Sequence, residues 1–536
     1  MRKLNPPLAA EGNRCRSPRI LGDFKVMNDE PAPITGLARW LITGSVLLAV
    51  FIDILDMTIV NVALPHMKGA LGATSEQIAW VLTSYMVSAV VVMPLTGYLA
   101  ARFGRRPVLL FDIAAFVVTS ALCGIAQNLE QIVLFRVLQG IAGATLTPLG
   151  QSLLLEVFPG KERGKGMAVF AIAAMMAPAM GPTVGGYITE HLSWRWVFFI
   201  NVPIGLFALL IAFRSLPRDR TRGVHTDWIG LFLMITAVGA LQLTLDLGER
   251  RGWLTSPFIQ ATLAATLIGL VAFALRSWNY AGAIVDLSLF RDRNFTSAFL
   301  LMLCMGLGFF GSIVLLPLVI QEIMGYSPAA TGLVLAPRAA IGLLLMPIVG
   351  GALVPRIDPR LLVLVGIFFS AWGCWMMSGY TATMGPWAIA IPGLVQGIGM
   401  SFLFVPISTI AFDTLDTARG TDGTGLYNLV RILGGSVGIS ITASLLSRQS
   451  QIHWHTLGGN ISDASPRVHD FLDRYPNLSL AALQGELGRQ SAMLAFIDLF
   501  WLIALSYLAL LPFIFIAKPK PRSWNGATGN VAIVAE

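Results

Sequence analysis

Runs of about twenty apolar residues, separated by short polar segments, recur from Trp40 to Ala517, each long enough to cross a bilayer's hydrocarbon as a helix. Most are apolar on every side, which suits lipid rather than water. Fourteen spans can be read, at roughly 40–64, 77–101, 107–127, 131–155, 166–189, 196–216, 227–247, 257–277, 296–320, 329–352, 361–380, 387–411, 424–446 and 491–517. The pattern predicts an all-α polytopic membrane protein, and an even number of spans places both termini on one side.

Composition agrees and excludes other classes. Hydrophobic residues make up 55% of the 536-residue chain and charged residues 12%, against about 25% charged in soluble domains. A soluble enzyme and a disordered chain are both excluded. Of 37 Lys and Arg, 26 fall in segments sharing a side with the termini (Arg214 and Arg276, at span ends, counted with the adjoining loops), eight on the other side, and three (Arg136, Arg338 and Arg431) deeper within spans. By the positive-inside rule the termini are expected in the cytoplasm. The net charge of +8 is then a topology signal and does not call for a nucleic-acid partner.

Segments outside the spans add little chemistry. Residues 1–39 are polar with seven Lys/Arg and no apolar core, so no cleaved signal peptide is expected there. Cys15 lies in this tail, and Cys123, Cys304 and Cys374 lie in apolar runs where small apolar packing explains them. The run from Arg214 to His225 reads as a cytoplasmic topogenic loop. The longest external segment, Arg448 to Gln490, holds His453, Trp454, His455 and His469. Their spacing suits no metal, so solvated loop residues are expected and no metal site is proposed.

Ionisable groups within a bilayer are expensive and need a reason. The first span, "FIDILDMTIVNVALP", places Asp53 and Asp56 three residues apart on one helical face. Desolvation favours a neutral carboxyl there, bringing protonation near neutral pH within reach, as a proton-coupled carrier requires. The same two carboxyls could instead be held permanently by hydroxyls or an arginine. Arg136, in "LFRVLQGIAGATLTP" of the fourth span, must find a carboxylate or carbonyls, and either Asp53 or Asp56 would serve. Further charges in spans, Asp112, Asp246, Asp498 and Arg431, are secondary candidates for a proton relay, cation binding or mutual compensation. In the fifth span, "APAMGPTVGGYI", Gly181 and Gly185 form a small-xxx-small pair for close helix approach, and Pro178 and Pro182 favour kinking.

In this order, these segments resemble the major facilitator superfamily, in particular its fourteen-span drug:proton antiporter branch and the EmrB multidrug exporters within it. The first span matches "LDxTIxNVAxP" through Leu55, Asp56, Thr58, Ile59, Asn61, Val62, Ala63 and Pro65. Gly97, Leu99, Arg102, Gly104 and Arg105 resemble the gating-loop motif; Arg136 and Gly140 resemble the proton-linked motif of the fourth span. Gly181, Pro182, Gly185 and Gly186 resemble the antiporter motif. "DWIGLFLMITAVGALQLTLDLG", "IVDLSLFRDRNF" and "GSIVLLPLVIQEIMGYSPAATGLVLAP" extend the likeness to roughly Ala38–Lys520. One departure stands out: Ala101 replaces the usual acidic residue of the gating loop, so the charge contact that helps latch the cytoplasmic gate in many relatives is expected to be missing.

The resemblance implies a cytoplasmic tail 1–39, a six-helix bundle 40–216, two inserted helices within 217–280, a second six-helix bundle 281–517 carrying the external loop 448–490, and a cytoplasmic tail 518–536. It implies an inner-membrane antiporter exporting hydrophobic or amphipathic toxic compounds by alternating access, driven by the proton gradient without a cofactor. Asp53, Asp56 and Arg136 would couple the proton. A periplasmic membrane-fusion adaptor and a TolC-type outer-membrane channel are the implied partners. The same fold could export one physiological solute, such as a fatty acid, siderophore or amino acid. No GxxxxGK[ST] loop supports a primary pump. A membrane enzyme using Asp53 and Asp56 as a DxxD pair would need a second carboxylate cluster near water.

Overall fold

A computed structural model describes residues 36–217, 226–280, 283–415, 419–459 and 480–518. Both outer tails, most of the basic run after Arg214, and His469 lie outside the described residues. No strand occurs among the described residues. Among the described residues, fourteen helices are long and apolar enough to cross a membrane: α1 Gly36–Ala70, α2 Trp80–Phe103, α3 Arg105–Ile125, α4 Leu129–Val157, α5 Arg163–His191, α6 Trp196–Ser215, α7 Trp228–Leu247, α8 Pro257–Trp278, α9 Arg293–Ile323, α10 Ala330–Leu353, α11 Pro359–Met377, α12 Pro386–Asp413, α13 Gly420–Gly458 and α14 Leu483–Ile514.

Local chemistry sets where these helices start and bend. The side chains of Asn128, Asp227, Asp292 and Asp358 cap α4, α7, α9 and α11 by accepting from first-turn amides. Gly104, at φ +88°, gives the abrupt turn from α2 into α3 that a residue with a Cβ would resist. Proline explains the irregular stretches. Around Pro94 α2 tightens into a 3₁₀ turn, and α4 is interrupted at Ala144–Thr145, where Pro148 cannot donate to the Ala144 carbonyl. Pro317 and Pro347 each precede a π-helical turn, at Val319–Ile323 and Val349–Leu353.

One boundary expectation is corrected. The segment 448–490 is not a loop throughout, because α13 continues to Gly458 and a helix resumes at Leu480. The extension is held by packing: Leu487 of α14 is buried beside Gly458, and His453 of α13 pairs with Asp498 of α14, Nε2 to Oδ2, at 2.8 Å. His453 and Asp498 are thus each other's partners, so His453 is not the solvated loop residue that was expected.

Helices α1–α6 pack mainly among themselves, as do α9–α14, while α7 and α8 pair and α7 touches both α2 and α13. The two sets meet along α5–α10 and where α13 crosses α2 and α4. Gly181 and Gly185 bring α5 onto α1 at Thr58 and Ile59; a Cβ on Gly185 would stand 2.9 Å from Ile59 Cγ1. Gly186 is looser, its nearest atom at 3.9 Å on Val62.

Candidate functional site

Asp53 and Asp56 sit one turn apart on α1 and take different partners. Asp56 forms a wholly buried ion pair with Arg136 of α4, both side chains 0% exposed. Its other oxygen accepts from Gln139 Nε2 at 3.1 Å and from Asn201 Nδ2 of α6 at 2.9 Å. Arg136 also donates from Nε to the Val81 carbonyl at 3.0 Å and from Nη1 to Gln139 Oε1 at 2.9 Å. Its guanidinium lies 4.1 Å from the centre of the Tyr85 ring, and Nη2 is buried without a partner. Either carboxyl could have served the arginine by sequence; the helix packing selects Asp56.

Asp53 is held by hydroxyls. Tyr85 donates to Oδ1 at 2.7 Å and Thr147 to Oδ2 at 2.6 Å. Gly143 admits this arrangement, since a Cβ there would come within 2.8 Å of Asp53 Oδ1 and 2.9 Å of the Tyr85 hydroxyl. The two carboxyls thus belong to one network, with Tyr85 bonded to Asp53 and stacked over the arginine that pairs with Asp56.

The secondary charges are scattered. Asp112 accepts from Thr145. Asp246 accepts from Gln242 at 2.8 Å and leaves Oδ2 buried and unmet. Arg431 donates to Asn428 Oδ1 at 3.3 Å and lies near enough for its charge to act on Asp53 across the boundary between the two helix sets. The expected compensation of Asp112, Asp246 or Asp498 by Arg431 is therefore corrected, because α13 meets the first set along α2 and α4.

Among the described residues, the hydrogen bonds between the two sets gather at the end of the molecule where α1 begins and α14 ends. Arg163 of α5 donates to the Phe412 carbonyl at 2.6 Å, Asn428 to Gln151 at 2.6 Å, and the Ser152 and Thr421 hydroxyls stand 2.8 Å apart. Gly97 packs directly on the side chain of Asp422 in α13, and Arg105 pairs with Glu156 inside the first set. With Ala101 unable to contribute a charge, these contacts still join the two sets at that end.

Sequence reasoning missed Tyr85, Thr147, Gln139 and Asn201. Gln139 follows Arg136 by three residues on the same helical face, a legible signal. Tyr85 and Thr147 carried none, because nothing in the sequence sets them apart from neighbouring hydroxyl residues such as Ser84 and Thr145.

Residues 46–439 match the family model described as Major Facilitator Superfamily. The chain belongs to that superfamily. It is 37% identical to the multidrug export protein EmrB of Haemophilus influenzae, covering 91% of this chain and 97% of the relative. It is 34% identical to EmrB of Escherichia coli K12 (93% and 99%) and 35% identical to the fatty acid resistance protein FarB of Neisseria gonorrhoeae (92% and 99%). Among solved structures, the proton:xylose symporter XylE superposes with a TM-score of 0.56 at 14% identity, over 87% of this chain and 94% of that one. That likeness concerns the fold alone. The chain is a multi-pass membrane protein of a transporter superfamily.

Proposed function

We infer that this protein is a proton-coupled antiporter that exports hydrophobic and amphipathic compounds, as the names of its export relatives suggest. The buried Asp56–Arg136 pair carries the reading, because it places a titratable carboxyl and its counter-charge within the spans. A proton arriving from outside neutralises Asp56 or Asp53, loosens the hold on Arg136, and permits return of the empty carrier; loading of substrate drives deprotonation. One charge moving through ~100 mV supplies about 2.3 kcal/mol, enough for a roughly fifty-fold gradient. The proton gradient is the energy source, and no cofactor takes part.

The 26-to-8 distribution of basic residues supports cytoplasmic termini in the inner membrane. The contacts of Arg163 with α12 and of Gln151 and Ser152 with α13 then close the cytoplasmic side, leaving the carrier poised to receive protons from outside. Spans 40–216 and 281–517 would be the two rocking units about a mid-membrane site, with the helices of 217–280 between them. The outer ends of α13 and α14 are the proposed contact for a periplasmic adaptor, itself joined to a TolC-type channel.

The test is substrate-induced proton release in proteoliposomes across a chemically varied panel. Wild-type protein is expected to release protons on loading and the Asp56→Asn variant to release none. Export by Asp56→Asn with an unchanged dependence on the proton gradient would sink the assignment. A second reading, export of a single solute class, is favoured by the likeness to FarB; response to fatty acids alone would establish it.

A further inference from the structure

Charge is divided unequally between the two helix sets. Spans α1–α6 bury three carboxyls, Asp53, Asp56 and Asp112, with one arginine, Arg136. In α9–α14 no carboxyl is fully buried among the described residues, yet Arg431 is buried and Arg338 of α10 half-buried. Arg431 faces the charge of Asp53. Among the described residues Arg338 faces no acidic group.

The surroundings of Arg338 are specific. Its Nη2 donates to Ser312 Oγ of α9 at 3.2 Å, and its guanidinium lies 5.4 Å from the centre of the Phe309 ring. Gln396 of α12 donates to the same Ser312 oxygen at 3.1 Å, and its own Oε1 is buried without a partner. The titratable neighbours are Cys374, Tyr380 and Tyr507. None supplies a negative charge: the Tyr380 hydroxyl is committed to the Ile389 carbonyl at 2.7 Å and that of Tyr507 to Met400 Sδ at 3.7 Å. Arg338 lies eight residues past the start of α10 at Ala330 and Gln396 ten past the start of α12 at Pro386, about 12 and 15 Å along their helices at 1.5 Å per residue.

An arginine at this depth must be compensated. A guanidinium fork with unclaimed donors matches the two oxygens of a carboxylate. The Phe309 ring, with Phe310 edge-on to it at 5.4 Å, offers an apolar surface to the chain behind such a headgroup. We propose that Arg338, flanked by Phe309, Ser312 and Gln396, is a receptor for the anionic headgroup of amphipathic substrates, a carboxylate being the group that fits. This deepens the exporter reading and rests on it for the word substrate. The proton is carried by the acidic first set and the anion by the basic second set.

The experiment uses the full chain in proteoliposomes at pH 7.5 with three probes of equal chain length: laurate, methyl laurate and dodecyltrimethylammonium. Wild-type protein is expected to bind laurate about tenfold or more tightly than methyl laurate, the fold-change of one lost charged contact. Arg338→Gln should abolish that preference while still binding methyl laurate and dodecyltrimethylammonium, and Arg338→Lys should retain part of it. Equal binding of laurate and its ester by the wild type overturns the inference without requiring any variant to fold. An unchanged preference in Arg338→Gln also overturns it, as does displacement of laurate by chloride with no dependence on alkyl chain, which would mark a small-anion site. Carboxylate preference through Arg338 without proton-coupled export would remove the exporter reading and leave the receptor standing.

Discussion

Cutting the Asp56–Arg136 pair from its two sides should have unequal consequences. Asp56→Asn leaves Arg136 charged, because a guanidinium does not deprotonate in a protein, and sets an amide where a carboxylate received it. Both side chains are 0% exposed, so no water screens the stranded cation. Removing one partner of a buried pair costs about 3–5 kcal/mol. Arg136→Gln is milder. The carboxyl left behind keeps its bonds from Gln139 (3.1 Å) and Asn201 (2.9 Å) and can discharge itself by taking a proton. Its cost is about 1–3 kcal/mol, that of an impaired buried polar group. The double variant removes both charges and should fall short of the summed single effects by about 2–3 kcal/mol, as coupled neighbours do. Thermal unfolding of the purified full chain in detergent at pH 7.5 can be followed by thiol-reactive labelling of Cys123, which is wholly buried and donates to Gln139. The expected order of stability is wild type first, then Arg136→Gln, with Asp56→Asn last. Strict additivity, or an Arg136→Gln variant weaker than Asp56→Asn, would refute the reasoning.

Gly185→Ala should destabilise by about 1–3 kcal/mol through overpacking against Ile59, whereas Gly186→Ala, with only Val62 at 3.9 Å, should stay within about 0.5 kcal/mol in the same unfolding assay. A Ser152→Cys, Thr421→Cys pair, whose parent hydroxyls stand 2.8 Å apart, should crosslink under mild oxidation and arrest transport until reduced; free transport in the crosslinked protein would refute closure at that end. Outside the spans, hydrogen bonds from Arg39 and Lys165 hold the Glu162 carboxyl below its usual range. Burial opposes ionisation of Asp227 and Asp286, but Arg276 and the Gly230 amide outweigh it for the first, and Ser288 and Arg419 for the second. Depressed folded-state values stabilise above the unfolded carboxylate range of about 3.9–4.3 and lose that contribution as pH falls through them. The contribution of these three carboxylates to the unfolding midpoint should therefore be lost below about pH 4, and Asp227→Asn should flatten that acid fall; an unchanged acid profile in Asp227→Asn would count against it.

The likeness of the first span to its family motif singled out Asp56, but the partner of Arg136 was left open between two carboxyls 4.5 Å apart in rise along one helix. Periodicity along one helix states which residues share a face and cannot say which face a distant helix will meet. Asp53 is distinguished from Asp56 only by Tyr85 and Thr147, which reach it from α2 and α4. The external segment was misjudged for a related reason. Its sequence around His453 is polar, and helicity there depends on packing against the start of α14.

By itself the sequence determined the spans, their number and the class of protein, because crossing hydrocarbon is a requirement each apolar run must meet alone. It also marked Arg136, Asp53 and Asp56 as groups needing an explanation, since buried charge is rare enough to stand out. Only the tertiary structure decided how those charges pair, which end of the molecule is joined by contacts between the two helix sets, and that Arg338 has no acidic partner among the described residues. Each of these depends on side chains from helices far apart in the chain arriving at one point, and such meetings leave no period in the sequence.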